Sequence, residues 1–234
     1  AEHPDVEVSV TGGGSGTGFQ ALIEGTCDIA NASRKIKPEE ESAARAKGVE
    51  PVEHLIGYDG IAVIVNKENP ISKITIDQLS DIYVGTITDW KALGGSGEIV
   101  LLSRDSTSGT YEYFKEHVVQ KGDKKSDRDY AAGAIMLQSN DQIRSQVAST
   151  KGAIGYIGLG YLDDSVKALP VVGKDGKPVS PSVESVRDGS YPISRPLFMY
   201  TKKGVAEAVS AFLEWVKSPA GQEIVKREGF VPLS

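Results

Sequence analysis

The tripeptides Ser15-Gly16-Thr17 and Ser108-Gly109-Thr110 place the same hydroxyl, glycine and hydroxyl order at two distant points of the chain. Each follows a strand-like run and opens a helical one, so it falls where a helix leaves its first N–H groups without partners. A glycine there lets a ligand approach the backbone, and the partial positive charge of a helix start favours an oxyanion. Arg104-Asp105 precedes the second copy, so a guanidinium, hydroxyls and N–H groups could meet on one anion. Between the copies, Ala32-Ser33-Arg34-Lys35 ends a third strand pattern. Ligands of open α/β sheets sit at the carboxyl ends of strands, where all three segments fall. Each segment alone also has a plainer reading: a flexible strand-to-helix turn, a surface arginine beside an N-cap serine, a solvated basic turn.

Other chemistries find no support in residue spacing. The stretch 12–18 is no phosphate loop, because Phe19 stands where the lysine of a P-loop is required, and Thr17 breaks both the dinucleotide and the serine-elbow patterns. His3, His54 and His117 are scattered, and the single cysteine, Cys27, can neither close an intrachain disulfide nor build a zinc site. Glu39-Glu40-Glu41 opens a helix, where the dipole favours acids, and reads as a solvated face. With 26 Lys and Arg against 32 Asp and Glu, the net charge of -6 argues against a nucleic-acid partner. No metal or cofactor motif is present, and no apolar run approaches the roughly 20 residues of a membrane span.

The elements that must position these residues alternate, as in an α/β protein. Strand patterns occupy 6–10, 29–32, 61–65, 99–103, 153–157 and 197–201, and helices are expected from Ser15, Pro38, Thr75, Ser108, Asn140, Val205 and Pro219. Thr75 with Gln78, and Ser139 with Gln142, fit capping boxes; Gly48 and Gly229 suit helix C-termini. Ala206, Val209, Phe212, Leu213 and Val216 form one apolar helix face for packing on a sheet. The charged stretch 121–128 reads as a surface loop, and 173–178 as a turn between extended segments.

Together, 12–18, Ala32-Ser33-Arg34, Asp59-Gly60-Ile61-Ala62-Val63, Arg104 with Ser108-Gly109-Thr110, and Gly152-Ala153-Ile154-Gly155-Tyr156 resemble the substrate-binding proteins of bacterial ABC phosphate importers over nearly the whole chain. The resemblance implies an α/β, two-lobed periplasmic-binding-protein fold of type II with the ligand in the cleft between lobes. Lobe I would comprise 1–63 and 195–234 and lobe II 64–194, hinged near 61–65 and 197–201. It further implies a receptor rather than an enzyme, extracytoplasmic, monomeric, without cofactor, with inorganic phosphate and an ABC permease as partners.

Carried over by position, Ser15 is the hydroxyl of the first lobe, and Arg104, Ser108, Gly109 and Thr110 form the second cradle; Thr17, Ser33 and Arg34 complete the expected set. Some members carry an aspartate where this chain has Ser33, a carboxylate that accepts the proton of hydrogen phosphate, so Asp59 and Asp105 are the candidate substitutes. Members of the family also begin with a strand, a Ser/Thr-rich loop and a helix. This chain opens at Ala1-Glu2-His3-Pro4, which reads as the end of that helix, so the segment before it is expected to be absent.

Overall fold

The computed structural model describes residues 6–12, 14–123 and 125–234. The readings on Ala1-Glu2-His3-Pro4, Gly13 and Lys124 lie outside these residues. Two compact units divide the chain: one runs through Tyr58 and takes in Arg195–Arg227 and Pro232–Ser234, the other is Asp59–Ser194 with Glu228–Val231. Residues 59–63 and 228–231 thus group with the second unit, whereas the sequence places them with the first. The physical reason is pairing: Ile61–Val65 form an antiparallel ladder with 154–158, and the Gly160 N–H donates to the Gly229 carbonyl at 3.2 Å.

In the first unit, helix α1 (Ser15–Glu24) is followed by strand β1 (Ala30–Ala32), helix α2 (Pro38–Ala46) and the opening half of strand β2 (Pro51–Val65). Beyond the second unit come strand β10 (Ser194–Lys202) and helices α7 (Glu207–Lys217) and α8 (Pro219–Arg227). Strand order is β1-β10-β2, with Ala30 opposite Tyr200 and Ala32 opposite Phe198. Those four side chains share one face, because residues two apart in a strand point the same way, and Phe19 and Leu22 of α1 complete their cluster. Phe19 meets Tyr200 edge-on, with 5.0 Å between ring centroids. Gly18 permits this packing, since a Cβ there would lie 3.3 Å from the Asn31 carbonyl oxygen.

The second unit holds strand β3 (Ile74–Thr75), helix α3 (Ile76–Tyr83), strand β4 (Val100–Arg104), helix α4 (Gly109–Phe114), strand β5 (Ile135–Leu137), helix α5 (Asn140–Ser149) and strand β6 (Ala153–Gly158). Short strands β7 (Lys167–Ala168), β8 (Val171–Val172) and β9 (Pro178–Val179) and helix α6 (Val183–Arg187) complete it. The main sheet runs β2-β6-β4-β5 with β7 beside β2, and β3, β8 and β9 form a smaller sheet. β4 lies parallel to both neighbours, so the carboxyl ends of β4 and β5 fall side by side, with Arg104 opposite Leu137. β6 is buried along its whole length. Both capping boxes form as expected, at Thr75 with Gln78 and at Ser139 with Gln142, and the 173–178 turn joins β8 to β9.

Three expectations are corrected. Residues 6–10 form no strand; Val6, Val8 and Val10 stand 40%, 62% and 77% exposed. Their alternation suits a strand, but a strand needs a partner for its backbone groups, and no ladder engages them among the described residues. The run at 61–65 is only the end of a strand of 15 residues, whose first half was hidden because Glu53 and His54 interrupt its apolar pattern. Of the apolar face expected on helix α7, only Leu213 and Val216 are buried and Ala206 is exposed; α7 packs against α8, and α8 reaches β2 through Gln222 Nε2 and the Ile56 carbonyl at 3.0 Å.

Candidate functional site

In the first unit the candidate residues surround the start of α1. Gly14 is the N-cap and offers no side chain, so Ser15 is the first helical residue. Packing of α1 on β1 brings that residue to the end of the strand, where the Ser33 N–H donates to Ser15 Oγ at 3.1 Å. Ser33 Oγ in turn accepts from Arg195 Nη1 at 2.9 Å, from a residue 162 positions away. Thr17 is exposed one step along the same helix start.

Arg34 follows a different course. It continues the parity of Ala30 and Ala32, and its guanidinium lies over the Phe19 ring, 5.0 Å from the centroid. Both Nη atoms donate to the Glu40 carboxylate at 2.8 Å, a bidentate pair, and Glu40 also accepts from the Lys37 N–H at 2.9 Å. The hydrogen bond from Arg34, aided by the Lys37 N–H, holds the Glu40 carboxyl below its usual range. The pair ties β1 to the start of α2.

In the second unit the candidate residues lie at the end of β4. Arg104 Nη1 donates to Asn140 Oδ1 at 3.0 Å and Nη2 to the Gln138 carbonyl at 3.1 Å, and its buried Nε has no partner. Asn140 is itself fixed, its oxygen also accepting from the Gly158 N–H at 3.3 Å. Thus neutral oxygens orient the guanidinium without cancelling its charge.

The following turn is held by Asp105, whose Oδ1 accepts from the Thr107 N–H at 2.9 Å and from the Thr107 hydroxyl. These bonds, the hydroxyl first, keep its carboxyl below the usual range, with Arg104 adding to the effect. Ser108 caps α4, its Oγ accepting from the Thr110 N–H at 3.2 Å. At Gly109 a Cβ would meet nothing within 4 Å, so internal packing does not account for the glycine. Asp59 is 3% exposed on β2, at the first residue of its unit. Below β4, a chain of hydroxyls runs from Tyr130 to Tyr156 at 2.8 Å and on to Ser103 at 2.7 Å; Ser103 donates to the Arg104 carbonyl at 3.0 Å. Burial pushes the Tyr156 hydroxyl up to about 12, so this brace is uncharged at neutral pH.

Sequence reasoning missed Arg195, Asn140 and Gln138. Asn140 was legible only as a residue next to a cap, and Arg195 only as a lone arginine ahead of the strand pattern at 197–201. His54 meets the Thr201 hydroxyl at 3.0 Å and His117 packs against Tyr113, with 4.2 Å between ring centroids. Among the described residues no group of His, Cys, Asp and Glu could hold a metal, and no helix is long and apolar enough to cross a membrane. The candidate residues therefore offer charge and hydrogen-bond donors to an anion.

The chain matches the family described as PBP superfamily domain over residues 1–220. It is 35% identical to the phosphate-binding protein PstS of Staphylococcus epidermidis, across 94% of this chain and 69% of that protein. Among solved structures it is similar to an ABC-type phosphate transport receptor from Vibrio cholerae (TM-score 0.76, 29% identity, 98% of this chain and 90% of that one). It is also similar to a putative phosphate ABC transporter substrate-binding protein with bound phosphate from Clostridium perfringens (TM-score 0.66, 36% identity, 100% and 90%). On these matches, over both units and both Ser-Gly-Thr junctions, the chain belongs to the PBP superfamily, among the PstS phosphate-binding proteins.

Proposed function

We propose that the chain binds inorganic phosphate and delivers it to the permease of an ABC importer, acting outside the cytoplasmic membrane, as a monomer and without catalysing a reaction. The observation that carries this reading is the Arg104 cradle: a guanidinium oriented by the Asn140 and Gln138 oxygens, with its Nε buried and unpartnered. A cation presented that way suits a dehydrated dianion. Beside it, Ser108, Gly109 and Thr110 open α4 with hydroxyls and an unobstructed glycine. In the first unit, taken by itself, Ser15, Thr17 and Ser33 carry hydroxyls around the start of α1.

Arg34, whose two Nη atoms both hold Glu40, serves this reading as a brace between the end of β1 and the start of α2. A net charge of -6 does not oppose it, because bound phosphate responds to local donors while the overall field affects chiefly the rate of approach. Phosphate carries a proton at neutral pH and sulfate does not, so a carboxylate acceptor would separate the two. Asp59 is the better candidate, since it is buried, where a charge acts more strongly, while Asp105 is only half-buried.

Calorimetric titration with phosphate at neutral pH, with sulfate as competitor, tests the reading. Saturable binding that sulfate does not displace is the expected result. Displacement by sulfate at equal concentration would replace phosphate with a broader class of tetrahedral oxyanion. Turnover of a phosphomonoester that disappears in Arg104→Ala would overturn the receptor reading altogether.

A further inference from the structure

We infer that Arg195 is the positioning residue of the Ser33 hydroxyl, turning its proton toward the bound anion as the Ser33 N–H does for the neighbouring Ser15; this rests on the phosphate-binding reading. A serine hydroxyl has one proton and two lone pairs, so the direction of its proton depends on what occupies the lone pairs. Arg195 Nη1 donates to Ser33 Oγ at 2.9 Å, and the Ser33 N–H donates to Ser15 Oγ at 3.1 Å. Each oxygen thereby accepts one bond from the protein, which turns its own proton away from that donor and leaves it for a ligand. A guanidinium on Ser33 Oγ also polarises the hydroxyl, and charge-assisted bonds are stronger than neutral ones.

The adjacent arginine cannot perform this role. Arg34 faces the Phe19 side of β1 and gives both Nη atoms to Glu40. Arg195 instead enters from β10, which runs antiparallel to β1, so its first residues lie past the end of β1 where Ser33 stands. One sheet register therefore delivers a cation to the site from the opposite end of the sequence. Two separate donors thus set the two serines: the Arg195 guanidinium holds the Ser33 oxygen, and the Ser33 backbone N–H holds the Ser15 oxygen.

The test is a double-variant cycle of Arg195→Gln and Ser33→Ala, with Arg195→Lys as the conservative variant, reading phosphate Kd by calorimetry and the unfolding midpoint of the phosphate-free protein. Arg195→Gln is expected to weaken binding about tenfold or more, Ser33→Ala by a similar factor, and the double variant no further than the worse single, since groups acting as one unit are non-additive. Arg195→Lys is expected to recover part of the loss, and none of the variants to move the midpoint by more than about 2 °C, because neither half-buried side chain belongs to the apolar core. Additive losses would overturn the inference, as would an Arg195→Gln affinity within twofold of the unaltered protein, or a midpoint that falls in step with affinity. An unaltered protein that binds neither phosphate nor sulfate would instead remove the receptor reading and this inference with it.

Discussion

The two Ser-Gly-Thr junctions share a sequence and differ in build. In α1 the N-cap is Gly14 and Ser15 is already helical, so its hydroxyl is not spent on capping and accepts from the Ser33 N–H. In α4 the equivalent Ser108 is itself the N-cap, with its oxygen on the Thr110 N–H. The helices differ too: α1 runs ten residues over a packed cluster, whereas α4 runs six before passing into a π-helical turn, Lys115–Val119. The cation also arrives differently. Arg104 comes from the strand just before its helix, while Arg195 comes from 162 residues beyond Ser33. A shift of one residue in helix register thus turns the same serine from a structural cap into a hydroxyl held by the end of a neighbouring strand.

The comparison breaks most visibly at its cations. Arg104→Ala is expected to cost about 1.5–3 kcal/mol or more, roughly 10- to 150-fold in phosphate Kd, because charge-assisted bonds are lost with no replacement. Unchanged affinity by calorimetry would sink the cradle. The carboxylates come next: Asp59→Asn should lower the preference for phosphate over sulfate about tenfold, in keeping with a lost charge-assisted bond, while Asp105→Asn should leave it in place. Competition titrations that give the two variants the same selectivity would refute the assignment of the acceptor.

The serines sharpen the contrast. Ser108→Ala removes an N-cap and should lower stability by about 1 kcal/mol as well as weaken binding, whereas Ser15→Ala should weaken binding with little change in the unfolding midpoint. Equal losses of stability in thermal melts would erase the distinction between donor and cap.

The smallest effect belongs to Arg34 and Glu40. The folded Glu40 carboxyl is held below its unfolded range, so the pair stabilises the fold fully above the unfolded value of about 4.3 and is lost as pH falls through the lower folded value. With side chains 30% and 19% exposed, it is worth no more than about 1 kcal/mol. Glu40→Gln should therefore destabilise the protein at pH 7, and the gap to the unaltered protein should close as pH falls and Glu40 takes up its proton; a constant gap from neutral to acid pH would contradict the ion pair.

Much of the frame was legible because it is local. The capping boxes at Thr75 and Ser139, the turn at 173–178 and the helix starts at Ser15, Pro38, Asn140 and Pro219 depend on residues within about four positions of one another, and they form where the sequence puts them. Arg104 was legible as well, since its strand and the helix after it are contiguous. The first half of β2 was not, as Glu53 and His54 interrupt any simple alternation, and the strand is defined by its partners rather than its own pattern. Residues 6–10 show the converse, with strand-like alternation and no strand.

By itself, then, the sequence determined the α/β class, the two Ser-Gly-Thr junctions and the arginine that precedes the second, all set by spacing within a few residues. Tertiary structure alone decided which arginine serves Ser33, that Asn140 and Gln138 hold Arg104, and that Ser15 and Ser108 do different work. Those outcomes depend on sheet register and on side chains brought together across long loops, and the hydrogen bonds they make have a reach of about 3 Å that no pattern along the chain encodes.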